Sequence, residues 1–212
     1  MRRLIHRRGA VGDPLIALTF DDGPSREWTP AILDTLQLHD VAATFFVVGE
    51  QARKHPDLLL RAAAQGHCIG SHADRHTNLT LLTTDGVLQQ VDAATKAATS
   101  ATGRATRLFR PPYGSYDRRL IELLDRRGLT MVLWSVDAMD WWLRDADRIA
   151  RRVTPRLFPG CIILLHDARG DRLRVGSSDR AATVEALPQL IAGARARGYR
   201  FVTIKEMLSA EG

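Results

Sequence analysis

Short apolar runs alternate with longer amphipathic segments along most of the chain. The apolar runs are nearly continuous, which is typical of strands that are buried on both faces of a parallel sheet. The longer segments carry apolar residues at helical spacing, which is typical of helices that pack one face against a core. This pattern predicts seven strands, at residues 15–20, 43–48, 68–71, 107–110, 130–136, 161–166 and 200–203.

Several helix ends can be located from the residue types that terminate helices. Thr29 followed by Pro30 is typical of an N-cap and a first-turn proline, and it predicts that a helix opens there. Further helices are predicted over residues 85–102 and 145–157. Three glycines follow amphipathic runs and are predicted to stop helices in a left-handed conformation: Gly66, Gly128 and Gly198. Strands that alternate with helices in this way indicate an α/β architecture.

Nearly every predicted strand is followed by a polar cluster at its carboxyl end. In a parallel barrel all these ends open on one face, where active sites are built. Five clusters that hold carboxylates, histidines and an arginine therefore favour a parallel barrel with one shared site over an open doubly wound sheet. The clusters lie at residues 21–24, 72–76, 110–114, 137–141 and 166–167.

Three of these polar residues form a candidate metal site. His72 and His76 are four residues apart, a spacing that places both imidazoles on one side of a helical turn or tight loop. With Asp22 as a third ligand, the set leaves open positions for water and substrate. Asp21 and Asp22 would repel each other unless a cation lay between them. The alternative is that the two carboxylates make only turn and cap hydrogen bonds.

Arg110 and His166 are the other two residues that the pattern singles out. Arg110 would be buried at a strand end and needs an acidic partner, which Asp21, Asp137 or Asp140 could supply. His166 follows an apolar run and is either a neutral core histidine or a general acid.

Composition narrows the classes of function. The chain has 212 residues, of which 45% are hydrophobic and 25% charged, so a single globular domain is expected rather than a disordered or membrane protein. The net charge of +6 comes almost entirely from arginines spread over helical segments. Because no basic stripe or nucleic-acid motif accompanies them, we expect no nucleic-acid partner. Cys68 and Cys161 lie in apolar runs and are predicted to be free thiols.

The first 14 residues are basic and are predicted to be an extension ahead of a single domain at residues 15–212. No apolar stretch typical of a signal peptide follows them. We therefore expect a cytoplasmic protein, or a secreted one whose leader is missing from this chain. No run is long enough to span a membrane, and nothing indicates an obligate protein partner.

Five motifs in order make the sequence closely similar to the polysaccharide deacetylases of the NodB-homology type. They are TFDDGP at residues 19–24, H-x-x-x-H at 72–76, RPPYG at 110–114, DxxDW at 137–141 and LLHD at 164–167. The resemblance extends over about residues 15–208. It implies a distorted (β/α)7-type parallel barrel and a metal-dependent hydrolase.

The resemblance also implies a role for each matching residue. Asp22, His72 and His76 would bind a divalent metal, usually zinc, with cobalt or another ion as the alternative. Asp21 would be the general base, and Arg110 would hold it in place.

The remaining roles concern the second half of the reaction. The backbone N–H of Tyr113 would stabilise the oxyanion together with the metal. His166 would be the general acid, oriented by Asp137. Three residues would line the pocket for the acetyl group: Pro112, Trp141 and Leu164.

The expected reaction is removal of N-acetyl groups from oligosaccharides or polysaccharides that contain N-acetylglucosamine, with release of acetate. An acetyl-ester or non-sugar amide hydrolase on the same fold is the alternative. An inactive carbohydrate-binding module is disfavoured, because binding alone needs no acid and base. Ala73 departs from the family, which usually has Ser or Thr there, and weaker metal binding is expected. Trp142 either stacks on a sugar ring or packs against the protein.

Overall fold

The computed structural model describes residues 5–10, 12–170 and 179–209. Its strands are β1 (Ile5–His6), β2 (Leu15–Asp21), β3 (Thr44–Val47), β4 (Cys68–Ser71), β5 (Leu108–Phe109), β6 (Thr130–Val132), β7 (Val136–Asp137), β8 (Ile162–His166) and β9 (Arg200–Phe201). Its α-helices are α1 (Thr29–Leu38), α2 (Gly49–Lys54), α3 (Pro56–Ala64), α4 (Thr84–Thr102), α5 (Arg118–Arg126), α6 (Ala146–Val153), α7 (Ala181–Ala196) and α8 (Ile204–Ser209).

The strands form one curved parallel sheet in the order β1-β6-β5-β4-β3-β2-β8-β7, and β9 pairs with β2. Strands β6 and β7 lie near opposite ends of this order, yet only residues 133–135 join them. So short a segment spans at most about 14 Å. The sheet must therefore curve round until its ends approach each other, which confirms the predicted distorted parallel barrel.

The alternation of side chains along each strand separates an inner from an outer core. On β2, Ile16, Leu18 and Phe20 pack in a large cluster with the surrounding helices. Ala17 points the other way, into an inner cluster with Phe46, Leu108, Val132, Ile162, Ile204 and Met207. Since the period of a strand is two, Thr19 and Asp21 share this inner side. The interior is thus apolar near its base, where α8 covers it, and polar toward the carboxyl ends of the strands.

The predicted strand at residues 130–136 is wrong in one respect, because it is two strands. The carbonyl oxygens of Val132 and Leu133 accept hydrogen bonds from the Arg110 guanidinium, at 3.1 and 3.0 Å. Two residues further on, Ser135 N–H donates to the Ile162 carbonyl, 3.0 Å away. The segment therefore leaves β5, passes over the Arg110 side chain and joins β8.

The helix ends follow the predictions with two exceptions. The helix predicted over residues 145–157 ends earlier, because α6 stops at Val153 and a 3₁₀ turn follows at Thr154–Arg156. Gly66, Gly128 and Gly198 have φ angles of 85°, 63° and 79°, which confirms their left-handed conformation. Helix α1 begins at Thr29, but its N-cap is Trp28, so the predicted N-cap is wrong. The Thr29 hydroxyl instead accepts from Ser25 N–H and donates to Asp167, at 2.8 and 2.6 Å.

The described part of the N-terminal extension adds β1, which pairs with β6 through Ile5 and His6. The domain boundary at residue 15 stays a prediction. Within the described residues Cys68 and Cys161 are free thiols, as predicted. No helix in the described ranges is both long and apolar enough to cross a membrane. The expectations of a cytoplasmic location and of no nucleic-acid partner stay predictions.

Candidate active site

Asp21 and Asp22 bring two carboxylates to the mouth of the barrel. Asp21 ends β2 and lies in register with His166 on β8. Asp22 has a left-handed φ of 82°, so the side-chain alternation of the strand is broken at this residue. Both carboxylates consequently face His72, whose Nε2 lies 3.8 Å from Asp21 Oδ2 and 3.5 Å from Asp22 Oδ1.

Asp22, His72 and His76 form a cluster whose candidate ligand atoms all lie within 4.8 Å of one another. Asp22 Oδ1 is 3.5 Å from His72 Nε2 and 3.3 Å from His76 Nε2. This carboxylate oxygen is buried and has no hydrogen-bond partner among the described residues. A buried acceptor without a donor is costly unless a cation satisfies it. The three side chains therefore fit a divalent metal ion.

The protonation states of the cluster suit metal binding. His72 Nδ1 lies 2.7 Å from the Arg110 carbonyl oxygen, which can only accept, so Nδ1–H donates there and Nε2 is the ring nitrogen that is left to face Asp22. Burial lowers the pKa of His76 to about 4, which leaves that ring neutral. Burial alone would raise the pKa of Asp22, but the electrostatic influence of the neighbouring His72, His76 and His166 rings holds it well below its ordinary value.

Arg110 is fully buried and holds Asp21. Its Nη1 donates to Asp21 Oδ1 at 2.7 Å and to the Thr19 hydroxyl at 2.8 Å. The guanidinium also lies 4.1 Å from the centroid of the Phe46 ring. Of the three acidic partners that the sequence left open, Asp21 is the one that Arg110 contacts. The same residue therefore fixes a carboxylate with its side chain and the His72 tautomer with its carbonyl.

His166 is held by Asp140 on the other side of the site. Its Nδ1 lies 2.8 Å from Asp140 Oδ1, and its backbone N–H donates to Asp140 Oδ2, also at 2.8 Å. The Thr183 hydroxyl donates to Oδ2 at 2.9 Å. Burial would lower the pKa of His166, but the Asp140 carboxylate outweighs it and, with Asp22 and Asp21, raises the pKa to about 9. His166 is therefore a protonated imidazole near neutral pH.

A comparison of the sequence with known protein families identifies the family of this chain. The sequence profile of the family described as polysaccharide deacetylase matches residues 8–132, more than half of the chain. The chain belongs to the polysaccharide deacetylase family. Members of this family depend on a metal, for which Asp22, His72 and His76 provide a candidate site.

Individual members of the family are similar over most of the chain. A peptidoglycan-N-acetylglucosamine deacetylase of Bacillus cereus is 38% identical over 91% of this chain and 67% of its own length. A chitooligosaccharide deacetylase of Sinorhizobium fredii is 39% identical over 91% of each chain. The chain spans only 38% of the length of the Listeria monocytogenes peptidoglycan-N-acetylglucosamine deacetylase PgdA, to which it is 38% identical.

A solved structure matches the fold closely. It is a peptidoglycan N-acetylglucosamine deacetylase in complex with 4-naphthalen-1-yl-N-oxidanyl-benzamide. The two chains superpose with a TM-score of 0.90 at 36% identity, over 97% of this chain and 93% of that one. The polysaccharide deacetylase fold is therefore shared almost from end to end.

One role implied by the family resemblance has to be corrected. Asp140, and not Asp137, orients His166. The Asp137 carboxylate accepts from the backbone N–H of Met139 at 2.7 Å, and its own carbonyl accepts from Arg152 Nε at 2.9 Å. Asp137 is therefore committed to shaping the turn that carries Asp140.

Backbone strain is concentrated around the site. Five described residues other than glycine have a positive φ, and four of them follow strands at the mouth of the barrel: Asp22, Ala73, Tyr113 and Met139. Such conformations are costly for residues with a Cβ and tend to gather at functional sites. The turn at each strand end is thus set by tertiary structure, which no local sequence signal announces.

The three residues predicted to line an acetyl pocket differ in burial and in position at the mouth of the barrel. Leu164 is buried on the inner side of β8, two residues before His166. Pro112 is buried beside Tyr113, whose ring packs edge-on against His76 at 4.4 Å between centroids. Trp141 is partly buried, and its role stays a prediction.

Asp167 is a residue whose importance the sequence did not reveal. Its carboxylate accepts from Gly23 N–H at 3.0 Å and from the Thr29 hydroxyl, while its carbonyl accepts from the Ser25 hydroxyl at 2.8 Å. Its N–H donates to the Asp21 carbonyl, 3.2 Å away. A Cβ at Gly23 would overlap the carboxylate, so only glycine fits. Burial raises the pKa of Asp167 to about 7. The loop that carries Asp22 is thus fastened to β8.

Gly170 and Ala73 complete the surroundings of the cluster. A Cβ on Gly170 would lie 2.6 Å from Asp22 Oδ1 and from His76 Cδ2, so this backbone closes over the candidate ligands. Ala73 is buried in an apolar cluster with Leu79 and Val87. The weaker metal binding expected from Ala73 stays a prediction.

Proposed function

We propose that the chain is a metal-dependent N-deacetylase that releases acetate from oligosaccharides or polysaccharides containing N-acetylglucosamine. One observation carries the proposal: a buried three-ligand cluster lies between a carboxylate held by an arginine and an imidazole held by a carboxylate. That arrangement supports a base and an acid on either side of a Lewis-acid centre. The substrate class is supported by the names of the similar enzymes from Bacillus cereus and Sinorhizobium fredii.

Asp22, His72 and His76 would hold the cation. Two imidazole nitrogens and one carboxylate oxygen are a ligand set that zinc favours in catalytic sites, with cobalt as the alternative. When bound, the cation would polarise the amide carbonyl and make water more acidic.

Asp21 would accept the proton of the attacking water. Its Oδ1 is tied to Arg110, and its Oδ2 faces His72 beside the cluster. The guanidinium fixes the carboxylate in place beside the cluster, so that it is positioned to act as a base. The backbone N–H of Tyr113 would donate to the oxyanion that develops on the amide carbonyl.

His166 would donate a proton to the departing nitrogen. An amine is a poor leaving group unless it is protonated as the C–N bond breaks. Asp140 occupies Nδ1, which leaves the Nε2 proton of the imidazolium for the substrate. Trp141, Leu164 and Pro112 would enclose the acetyl methyl group. The products are acetate and a free amino sugar.

A panel of acetate-release assays tests the proposal. Metal-free protein would be incubated with chitooligosaccharides, peptidoglycan, acetylxylan and small amides, with zinc or cobalt added. We expect metal-dependent acetate release from substrates that contain N-acetylglucosamine, and none from the Asp21→Asn variant. Release from acetylxylan or the small amides alone would instead support an ester or non-sugar amide hydrolase.

A further inference from the structure

Trp142 is an exposed aromatic residue on the turn that carries Asp140. Its side chain is 57% exposed, whereas the neighbouring Trp141 is partly buried. The two indole rings are 6.3 Å apart and tilted by 59°, so Trp142 is not stacked on Trp141. Packing against the protein therefore does not account for most of the surface of this ring.

The backbone beneath Trp142 is fixed by a tight turn. The Met139 carbonyl accepts from the N–H groups of Trp142 and Leu143, at 3.0 and 2.8 Å. Met139 itself has a left-handed φ of 53° and donates its N–H to the Asp137 carboxylate. An exposed ring on an ordered turn loses little conformational freedom when it binds a ligand.

The turn also places Trp142 beside the acid side of the site. Asp140 lies two residues earlier, so the two Cα atoms are at most about 7 Å apart. Both carboxylate oxygens of Asp140 bond His166, and the side chain of Asp140 is buried. The indole is therefore tied by a short, ordered segment to the residue that holds the proposed general acid.

We propose that Trp142 stacks on the pyranose ring next to the sugar unit that loses its acetyl group. This inference rests on the proposed function. Pyranose rings present faces of C–H groups that pack on aromatic faces, and tryptophan offers the largest such face with a polar N–H at its edge. The sugar unit being deacetylated is engaged by the acid and the base. An indole ring beside the acid side would therefore contact the adjacent sugar unit of the oligomer. Trp142 would make the enzyme prefer oligomers to single sugars.

The kinetic test compares Trp142→Ala and Trp142→Phe with Leu38→Ala. Leu38 is 81% exposed and ends α1, at the far end of the barrel, so it is a matched control for loss of an exposed apolar side chain. For N-acetylglucosamine pentamer, Trp142→Ala should raise KM about 3- to 10-fold with little change in kcat. Hydrolysis of a small activated acetyl ester should be unaffected by Trp142→Ala. Trp142→Phe should keep a KM for the pentamer close to that of the wild type, because phenylalanine still offers an aromatic face. Leu38→Ala should match the wild type on both substrates.

Two kinetic outcomes would overturn the inference. Trp142→Ala could leave the pentamer kinetics unchanged, or it could impair the small ester as much as the pentamer. The first outcome means that the ring touches no sugar, and the second that it merely supports the fold of the site.

A binding measurement separates this inference from the proposed function. The indole N–H resonance of Trp142 can be identified by its loss in Trp142→Phe and then followed while the pentamer is titrated into metal-free protein. We expect a saturable shift of that resonance, and a weaker affinity in Trp142→Ala. A resonance that does not move overturns the inference even if acetate is released. Failure of the wild type to release acetate from any sugar substrate overturns the proposed function, and the titration still decides the role of Trp142.

Discussion

The base side and the acid side of the site are supported by partners of opposite charge. Asp21 lies against the buried guanidinium of Arg110, whereas His166 lies against the buried carboxylate of Asp140. A cationic neighbour favours an ionised carboxylate, and an anionic neighbour favours a protonated imidazole. Although they lie in register on adjacent strands, one group is thus kept ready to accept a proton and the other ready to donate one.

The two sides also differ in what anchors them. Among the described residues, the guanidinium of Arg110 hydrogen-bonds only to groups on β2 and at the end of β6, inside the barrel. Asp140 stands on the turn after β7 and is bonded by Thr183 of α7, outside the sheet. The base side is therefore part of the sheet, whereas the acid side depends on a loop and a helix. Substitutions can separate the contributions of these two sides.

Loss of a candidate metal ligand should have the largest effect, because it disables both sides at once. His76→Ala should remove bound zinc and reduce acetate release to background. The fold should survive, since the ligands lie at the barrel mouth and the apolar core lies beneath them. Metal content by elemental analysis and thermal unfolding of the metal-free protein check this.

His55→Ala is a control for the removal of a histidine outside the site, and it should retain metal and activity. Unfolding of metal-free His76→Ala, or of the metal-free wild type, at room temperature would mean that the ion is structural.

Removing the acid should affect substrates according to their leaving groups. His166→Ala should lower kcat/KM for an N-acetyl sugar by about 10²–10⁴-fold, because the amine leaves without a proton donor. An activated phenyl acetate should lose much less, since a phenolate leaves unaided. Asp21→Asn should impair both substrates, because both need a deprotonated water. Metal content should be unchanged in both variants.

Two kinetic results would contradict these roles. If His166→Ala cleaved the amide at nearly the wild-type rate, His166 would not be the acid. If Asp21→Asn spared the amide, the base would have to be another group.

The pH profile should distinguish Asp140 from Asp137. A general acid works while protonated, so kcat/KM should fall as the pH rises through the pKa of His166, which Asp140 raises to about 9. Asp140→Asn removes that charge, so the falling limb should move toward lower pH by about 1–2 units. The loss at pH 9 should then be about 5–50-fold and should be small at pH 6.

Asp137→Asn is the matched control, because its amide oxygen can still accept from Met139 N–H. It should leave the limb in place. A bound cation would move the falling limb to lower pH in the wild type, Asp140→Asn and Asp137→Asn alike. The measured quantity is therefore the difference in limb position between these three proteins. A shift in Asp137→Asn but not in Asp140→Asn would reverse the correction made from the structure.

The same two acidic residues show what the sequence could and could not predict. The shared site was predictable because parallel strands place their carboxyl ends on one face, so the clusters containing Asp22, His72 and His166 had to meet there. Which carboxylate of the fourth cluster reaches His166 was not predictable. Asp137 and Asp140 are three residues apart, and the turn at the left-handed Met139 between them brings Asp140, not Asp137, into contact with His166.

The break in the strand at residues 130–136 has a similar origin. Apart from Thr130 and Ser135 its sequence is apolar, and nothing local indicates an interruption. The break is imposed from β5, where the Arg110 side chain takes two carbonyl oxygens that a strand neighbour would otherwise use. Tertiary hydrogen bonds of this kind leave no trace in hydrophobic periodicity.

Asp167 joins the two sides, and its loss should have the smallest effect of these substitutions. It follows His166 directly and fastens the loop of Asp22 through Gly23 and Thr29. Asp167→Ala removes both side-chain bonds, so zinc affinity should weaken about tenfold, as for other residues that orient metal ligands. With saturating zinc, kcat should return to within about threefold of the wild type.

Asp167→Asn should be milder, because its amide oxygen can accept from Gly23 N–H and its NH₂ can donate to the Thr29 oxygen. Zinc titrations of activity and of binding, run in parallel on the three proteins, give both quantities. If excess zinc failed to restore kcat in Asp167→Ala, Asp167 would be acting in the chemistry itself. The site would then contain a third reactive group besides Asp21 and His166.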